Sequence, residues 1–507
     1  MSRQDPKVLL IYPPNQLMDI EIPRPGGTLS LLYLAGALRD ADIEVNLLDA
    51  TVGSESDSLQ DTFFRRVMQP NGLTRIGMSA GQLRAYFEKG KYDIIGISSI
   101  FTSQTRMALQ VARIAKQVNP ETLVISGGGN AQALSSRFLV SGDVDLVSTS
   151  ESDNLIVHIV RAWQKGSSFD NLDAVAFLKD GQVVTKPVRP ETICRNLDEL
   201  PIPAWDMLPF GKYDNIGFST RSNTPGVEPS RYAPIMTSRG CQFRCLYCHN
   251  SEEKNPTSER GNIGHLRLKS IERVMQEVEI LRSLGVRHLY FEDDSLLAKK
   301  ERTTNIFRQV TEMDMQISNI NGVNLAHFAI PGPEDKLVPD QEYLEIMKQA
   351  GFGEFVFPVE SASQRILDKY ASGKLDLSRF DVVELMRVAT QEKGMKCLVN
   401  IMIGFPDETE EEMLQGVELA KQLIDAGATY VTFFIVTPFP GSKLFTQAIE
   451  GGYLSEDFDP DRMNWKNPVM RNTVVPPKRI VELRDWAWEH VNTPEYVQSR
   501  RSHQIGG

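Results

Sequence analysis

The stretch Ser238-Arg239-Gly240-Cys241-Gln242-Phe243-Arg244-Cys245-Leu246-Tyr247-Cys248-His249 gathers three of the chain's five cysteines within eight residues. It follows directly on Ala233 to Thr237, an apolar run that reads as a short strand. Further strand-like runs lie at His288 to Phe291, Val323 to Phe328, Glu354 to Val359, Cys397 to Ile403 and Tyr430 to Val436. Amphipathic stretches such as Ile271 to Leu284 and Glu411 to Ala426 separate them. Alternation of this kind predicts a partial (βα)6 barrel, whose functional loops follow the carboxyl ends of the strands. The cysteines therefore lie on the first such loop.

Thiolates spaced C-x3-C-x2-C can bind three irons of a [4Fe-4S] cluster and leave the fourth open to a ligand, whereas four cysteines would suit electron transfer alone. Other readings of the same residues stay open. Cys245 to His249 also spells C-x-x-C-H, the haem attachment pattern. Three thiolates with the His249 imidazole could hold zinc, although no second pair lies downstream. Buried structural cysteines are the plainest alternative. The odd count, with Cys194 and Cys397 standing alone, argues against a disulfide scaffold.

Upstream, Val8 to Tyr12, Glu44 to Leu48, Asp93 to Ser98, Thr122 to Ser126 and Val144 to Val147 alternate with helical stretches such as Thr105 to Val118. This predicts a Rossmann-like, doubly wound parallel sheet. Ligands of such sheets sit at the carboxyl ends of the strands, so the loops after Tyr12, Leu48, Ser98, Ser126 and Val147 are the candidates. Between the two α/β regions lies a connector. It holds a hairpin signal at Asp180-Gly181, a Pro-rich strap from Pro201 to Phe210, and a polar loop from Asn215 to Pro229. After Gly441 the chain is mostly polar, with one helical run from Lys478 to His490. The expected division is 1–165, 166–230, 231–445 and 446–507, the last a small, mostly helical extension.

Composition narrows the function classes. The 507 residues are 41% hydrophobic and 24% charged, which is ordinary for globular chains. A net charge of -11, from 55 basic and 66 acidic residues, does not suggest a nucleic-acid binder. No apolar run approaches the roughly 18 residues of a membrane span. The opening run is too short for a signal peptide and is broken at Pro13-Pro14, so a cytoplasmic location is expected.

C-x3-C-x2-C after the first strand of a βα barrel resembles the hallmark of the radical S-adenosylmethionine (SAM) superfamily. Tyr247, just before the last cysteine, matches the aromatic position that lies against the adenine of SAM. The resemblance implies a [4Fe-4S] cluster on Cys241, Cys245 and Cys248, with SAM on its open iron. Glu292 and Asp293, ending the second strand, match groups that bind the SAM amine; a solvated acidic turn is the alternative. Glu360 and Ser361, ending the fourth, resemble the ribose-contact segment, with helix-dipole stabilisation by Glu360 as the alternative. Gly404, after the fifth, matches the turn beside adenine.

The preceding domain resembles the cobalamin-binding class of that superfamily. The matching segments are Tyr12-Pro13-Pro14, the helix start from Gly27 to Gly36, Asp49, Ser98-Ser99 with Thr102, Gly127-Gly128-Gly129, and Ser150-Glu151. The resemblance implies that Asp49, Ser98, Ser99, Thr102, Gly127, Gly128 and Glu151 contact cobalamin. No Asp-x-His-x-x-Gly motif is present and no histidine precedes His158, so the domain offers no imidazole to cobalt. A domain that binds no cofactor is the alternative. No G-x-G-x-x-G follows the first strand and no P-loop occurs.

Taken together, the resemblance implies a cobalamin-dependent radical SAM methyltransferase, acting through a 5'-deoxyadenosyl radical and methylcobalamin on an unactivated carbon. A small-molecule or natural-product substrate and an electron donor such as flavodoxin or ferredoxin are expected as partners. A radical SAM cyclase, dehydratase or rearrangement enzyme is the second reading, and an iron-sulfur sensor without turnover the third.

Overall fold

The computed structural model describes residues 5–18, 21, 23, 29–216, 231–254, 261–319, 323–352 and 354–498. Gly27 and most of the Asn215 to Pro229 loop lie outside the described residues. The chain forms two compact units. The first comprises residues 1–233 and 253–263, the second 234–252 and 264–507.

In the first unit, β1 (Val8–Tyr12), β2 (Val45–Asp49), β3 (Ile94–Ser98), β4 (Leu123–Gly127) and β5 (Leu146–Ser148) form a parallel sheet in the order β2-β1-β3-β4-β5. Alternate residues feed two cores, because successive side chains point to opposite faces. Leu9, Ile11, Ile95, Ile97 and Val124 pack on one side. Val8, Leu10, Ile94, Ile125 and Leu146 pack on the other. Burial on both faces is why these strands read as continuous apolar runs.

The hairpin continues this sheet as β6 (Val175–Lys179), antiparallel to β5, and β7 (Gln182–Thr185) at the edge. Asp180 and Gly181 both have positive φ, 50° and 76°, as a two-residue hairpin turn requires. The Pro-rich strap packs against α1 (Leu29–Asp40). Ala204 N–H bonds to Leu32 O at 3.0 Å, and Arg39 grips Asp206 at 2.8 and 2.9 Å. A Cβ on Gly36 would lie 2.2 Å from Ile202 O, so only glycine admits the strap there. Lys212 Nζ closes the connector by donating to the carbonyls of Val52, Ser54 and Asp57. Segment 253–263 joins the unit from far along the chain. A Cβ on its Gly261 would meet Val188 at 2.7 Å and Ile193 at 3.0 Å.

The second unit carries two three-stranded sheets. One contains β8 (Tyr232–Ile235), whose last two residues open the unit, β9 (His288–Phe291) and β10 (Gln316–Asn319). The other contains β11 (Glu354–Glu360), β12 (Lys396–Ile403) and β13 (Tyr430–Ile435), all parallel. Helix α2 (Ile271–Ser283) leads into β9 and α3 (Lys300–Glu312) connects β9 to β10.

One predicted strand is displaced. Val323 to Phe328 was expected to be the third, but Gln316–Asn319 pairs with β9 instead. Leu325–Phe328 forms a 3₁₀ turn, capped by Asn324 Oδ1 on Ala326 N–H at 2.9 Å. Its apolar residues serve an aromatic cluster, in which Phe328 lies 5.9 to 6.1 Å from the rings of Tyr343, Phe355 and Phe357.

The C-terminal helix α4 (Pro477–Val491) lies along β13. Beyond it, the Asn492 amide accepts from Val431 N–H at 2.8 Å and donates to Val431 O at 3.0 Å, pairing the strand edge as a peptide group would. No helix of the described residues is long and apolar enough to cross a membrane.

Candidate active site

Gly240 sets the start of the cysteine loop. Its φ is +77°, and a Cβ would lie 2.5 Å from His265 O and 2.7 Å from Gly264 O. That close approach lets Cys241 N–H reach Gly264 O at 3.1 Å. Further along, Leu246 N–H bonds to Tyr370 O at 2.8 Å and Leu444 N–H to Leu246 O at 2.9 Å, so segments on either side of β12 hold the loop. Cys245 is buried, and its thiol is pushed up to about 11 by that burial, against the pull of the Lys374 charge. Cys241 and Cys248 are partly exposed. Cys397 is sealed inside β12, and Cys194 donates to Asn196 O.

Zinc would need its donors converged on one point at about 2.0–2.3 Å. Among the described residues no group of three or more His, Cys, Asp or Glu side chains is so arranged. His249 Nδ1 lies 3.9 Å from Cys248 Sγ. Thiolates that each bind a different iron of a cluster need no common point, and the pinned loop suits them.

Asp293, expected to meet the SAM amine, is committed elsewhere. Its two carboxylate oxygens take Thr237 N–H at 3.0 and 3.1 Å, Thr237 Oγ1 at 2.7 Å and Ser238 Oγ at 2.5 Å. Three of these four contacts fall on Oδ1, and Oδ2 shares the Thr237 N–H. Asp293 therefore anchors the strand that launches the cysteine loop. Arg302 supports the same point by donating to Thr237 O at 3.0 Å and Lys269 O at 2.9 Å. Neighbouring Glu292 is half-buried, and burial, with the Asp293 charge second, pushes its carboxyl up to about 8.

The structure brings Tyr247 and Glu360 together, with the phenol donating to Glu360 Oε1 at 2.8 Å. Glu360 ends β11 at a register shift and has φ +68°, a conformation that costs a non-glycine residue about 1–3 kcal/mol. The same Oε1 accepts from Lys374 Nζ, and this buried ion pair was not foreseen from sequence. Its only sequence signal is a lone lysine in the turn after the helix that follows Glu360. Ser361 Oγ accepts from Ser363 N–H at 3.1 Å. Tyr247 also packs on Phe405, which stacks on Tyr370 at 4.5 Å. Gly404 has φ +88°, and a Cβ there would meet Ile480 at 3.1 Å, so backbone conformation and the C-terminal helix already require glycine. Its N–H and that of Phe405 donate to the buried Glu408, at 2.7 and 3.1 Å.

In the first unit the expected cobalamin residues fall at one sheet edge, the carboxyl ends of β2 to β5. Asp49 is held by its own chain. Oδ1 accepts from Thr51 N–H and Oγ1, and Oδ2 from Tyr213 OH at 2.7 Å, so the carboxylate ties the connector to β2. Gly128 has φ +99°, and a Cβ would lie 2.6 Å from Ser99 O, so its glycine serves the approach of two loops. Gly127 is less constrained, its nearest contact being Ser148 Cβ at 3.7 Å. Ser98, Ser99 and Thr102 are buried, and Ser99 Oγ accepts from Asn130 Nδ2 at 2.8 Å. Glu151 is half-buried.

Two features of this edge fit a large, flat, partly apolar ligand. Ile100 and Phe101, between Ser99 and Thr102, are 37% and 60% exposed, unusual for the loop of a central strand. Asn130 Oδ1 and Thr149 Oγ1, just past β4 and β5, are buried and have no hydrogen-bond partner. Orphaned polar atoms of this kind call for an explanation, and a ligand's polar rim is one.

The pinned three-cysteine loop on an α/β scaffold suits an iron-sulfur cluster. Residues 235–420 match the family model of the radical SAM superfamily and residues 17–160 that of the B12 binding domain. The chain belongs to the radical SAM superfamily, in the class that carries a B12-binding domain ahead of the barrel. Its cofactors are a [4Fe-4S] cluster, SAM and cobalamin. It is 28% identical over 490 residues to an uncharacterized methyltransferase, PH0819, of Pyrococcus horikoshii, covering 96% of this chain and 90% of that one. It is 26% identical to the cytidylyl-2-hydroxyethylphosphonate methyltransferase of Streptomyces wedmorensis, covering 92% and 86%. In fold it is similar to TsrM of Kitasatospora setae, a radical SAM methyltransferase solved with cobalamin and a [4Fe-4S] cluster. The TM-score is 0.61 at 15% identity, over 89% of this chain and 78% of that one.

Proposed function

We propose that the protein is a cobalamin-dependent radical SAM methyltransferase acting on an unactivated carbon of a small-molecule or natural-product substrate. The observation that carries this reading is one chain joining the pinned three-cysteine loop to a B12-binding domain with an apolar, glycine-lined sheet edge. Bound together, the cluster supplies an electron, SAM an adenosyl radical and a methyl group, and cobalamin a carrier for that methyl.

The chain's own residues hold and orient these groups. Cys241, Cys245 and Cys248 provide three thiolates and leave one iron open. Tyr247, Glu360, Ser361, Gly404 and Glu292 are the SAM-side residues of this reading. Tyr247 and Glu360 act as one hydrogen-bonded unit, so a ligand beside the tyrosine ring meets a fixed surface. Ser98, Ser99, Thr102, Gly127, Gly128 and Glu151 form the cobalamin edge, with Ile100 and Phe101 supplying apolar contact. The electron comes from a small donor such as flavodoxin or ferredoxin.

The test is an anaerobic assay with SAM, a reductant and fractionated small-molecule extracts. Methyl transfer yields 5'-deoxyadenosine and S-adenosylhomocysteine in comparable amounts, together with a methylated product. Deoxyadenosine with an unmethylated product would identify a cyclisation, dehydration or rearrangement instead.

A further inference from the structure

Glu360 makes two bonds through one oxygen, to the Tyr247 hydroxyl and to Lys374 Nζ. Both side chains of the ion pair are largely buried, 8% exposed for glutamate and 12% for lysine. Tyr247 stands between Cys245 and Cys248, and the Leu246–Tyr370 backbone bond ties this loop to the segment that leads into Lys374. A strained backbone and a register shift at Glu360 are needed to aim its carboxylate this way. The Tyr247 hydroxyl of the cysteine loop and the Lys374 ammonium thus meet at a single carboxylate oxygen.

A cluster on three thiolates is already anionic, and reduction adds a further negative charge in a poorly solvated place. A fixed ammonium nearby favours that step, and a fixed carboxylate opposes it. Charge near a cluster is one of the levers that set its potential.

We propose that Lys374 is a positioning residue for electron transfer, held by Glu360 beside the cysteine loop so that its charge raises the reduction potential of the [4Fe-4S] cluster. The inference rests on the cluster assignment above. The pair also gives the strained strand end a role, since the Glu360 oxygen fixes the direction of the lysine side chain.

The experiment is a one-electron reductive titration of the reconstituted full chain with dithionite. It is followed by electron paramagnetic resonance, without SAM, against dyes of known potential. K374M should lower the reduced-to-oxidised ratio at a fixed potential roughly tenfold, about 59 mV for one electron. K374R should behave as the wild type. E360Q should shift the ratio in the opposite direction, because its amide oxygen still accepts from the lysine while the negative charge is gone. A purely structural role would move K374M and E360Q the same way. Shifts of the same sign, or a full cluster in both variants with unchanged potential, would overturn the inference alone. Absence of any [4Fe-4S] signal in the wild type would overturn the cluster assignment as well.

Discussion

Asp293 and Asp49 look alike in sequence to ligand-binding carboxylates, since each ends a parallel strand where sites form. Each instead binds its own chain, and the difference lies in nearby hydroxyls and amides: Thr237 and Ser238 for one, Thr51 and Tyr213 for the other. The cysteines stood out because three lie within eight residues after a strand, and the resemblance chose among the readings that their spacing left open. The Glu360–Lys374 pair was not, because it depends on a bulge and a left-handed residue that no pattern announces. Asp293→Asn places an amide donor where only donors point. It should cost roughly 1–3 kcal/mol and lower iron retention, read by thermal unfolding and iron content. Glu408 gives a pH prediction. Its carboxyl is pushed up to about 8 by burial from an ordinary 4.5, although the Gly404 and Phe405 amides pull the other way. The folded state then holds a proton that the unfolded state releases, so this group's contribution is full below about pH 4.5 and declines as pH rises to about 8. Glu408→Gln should flatten that decline, measured as Tm against pH.

At the scale of elements, the doubly wound sheet was readable because its strands are buried on both faces and so carry unbroken apolar runs. The third barrel strand was not. Gln316–Asn319 is too polar to stand out, and the apolar run that follows it feeds an aromatic core. Another element-scale detail invisible in sequence is the closure of β13 by a single side chain. Asn492→Ala should leave Val431 N–H and C=O unpaired at a buried edge, at a cost of roughly 1–3 kcal/mol. Amide exchange at Val431 should quicken while exchange in β1 stays unchanged.

The whole molecule divides its two sets of candidate cofactor residues between its units. The cysteines fall in the second, and the glycine-lined sheet edge in the first. Loss of one group should therefore spare the other. A variant with Cys241, Cys245 and Cys248 all changed to Ala should lose its iron and sulfide and still bind cobalamin, by its visible absorption after gel filtration. Cys194→Ala and Cys397→Ala should keep both cofactors.

Segment 253–263 carries a further consequence for how the protein is made. Ribosomes deliver chain from the N-terminus, and domains generally fold as they emerge. The first unit cannot be finished at residue 233, because Gly261 and its neighbours have yet to arrive beside Val188 and Ile193. By the time they do, residues 241–248, which precede them in the chain, have already left the exit tunnel. Completion of the B12-binding unit is thus timed to follow synthesis of the cysteine loop, and a nascent chain stalled before residue 261 holds neither a finished first unit nor a barrel to receive iron.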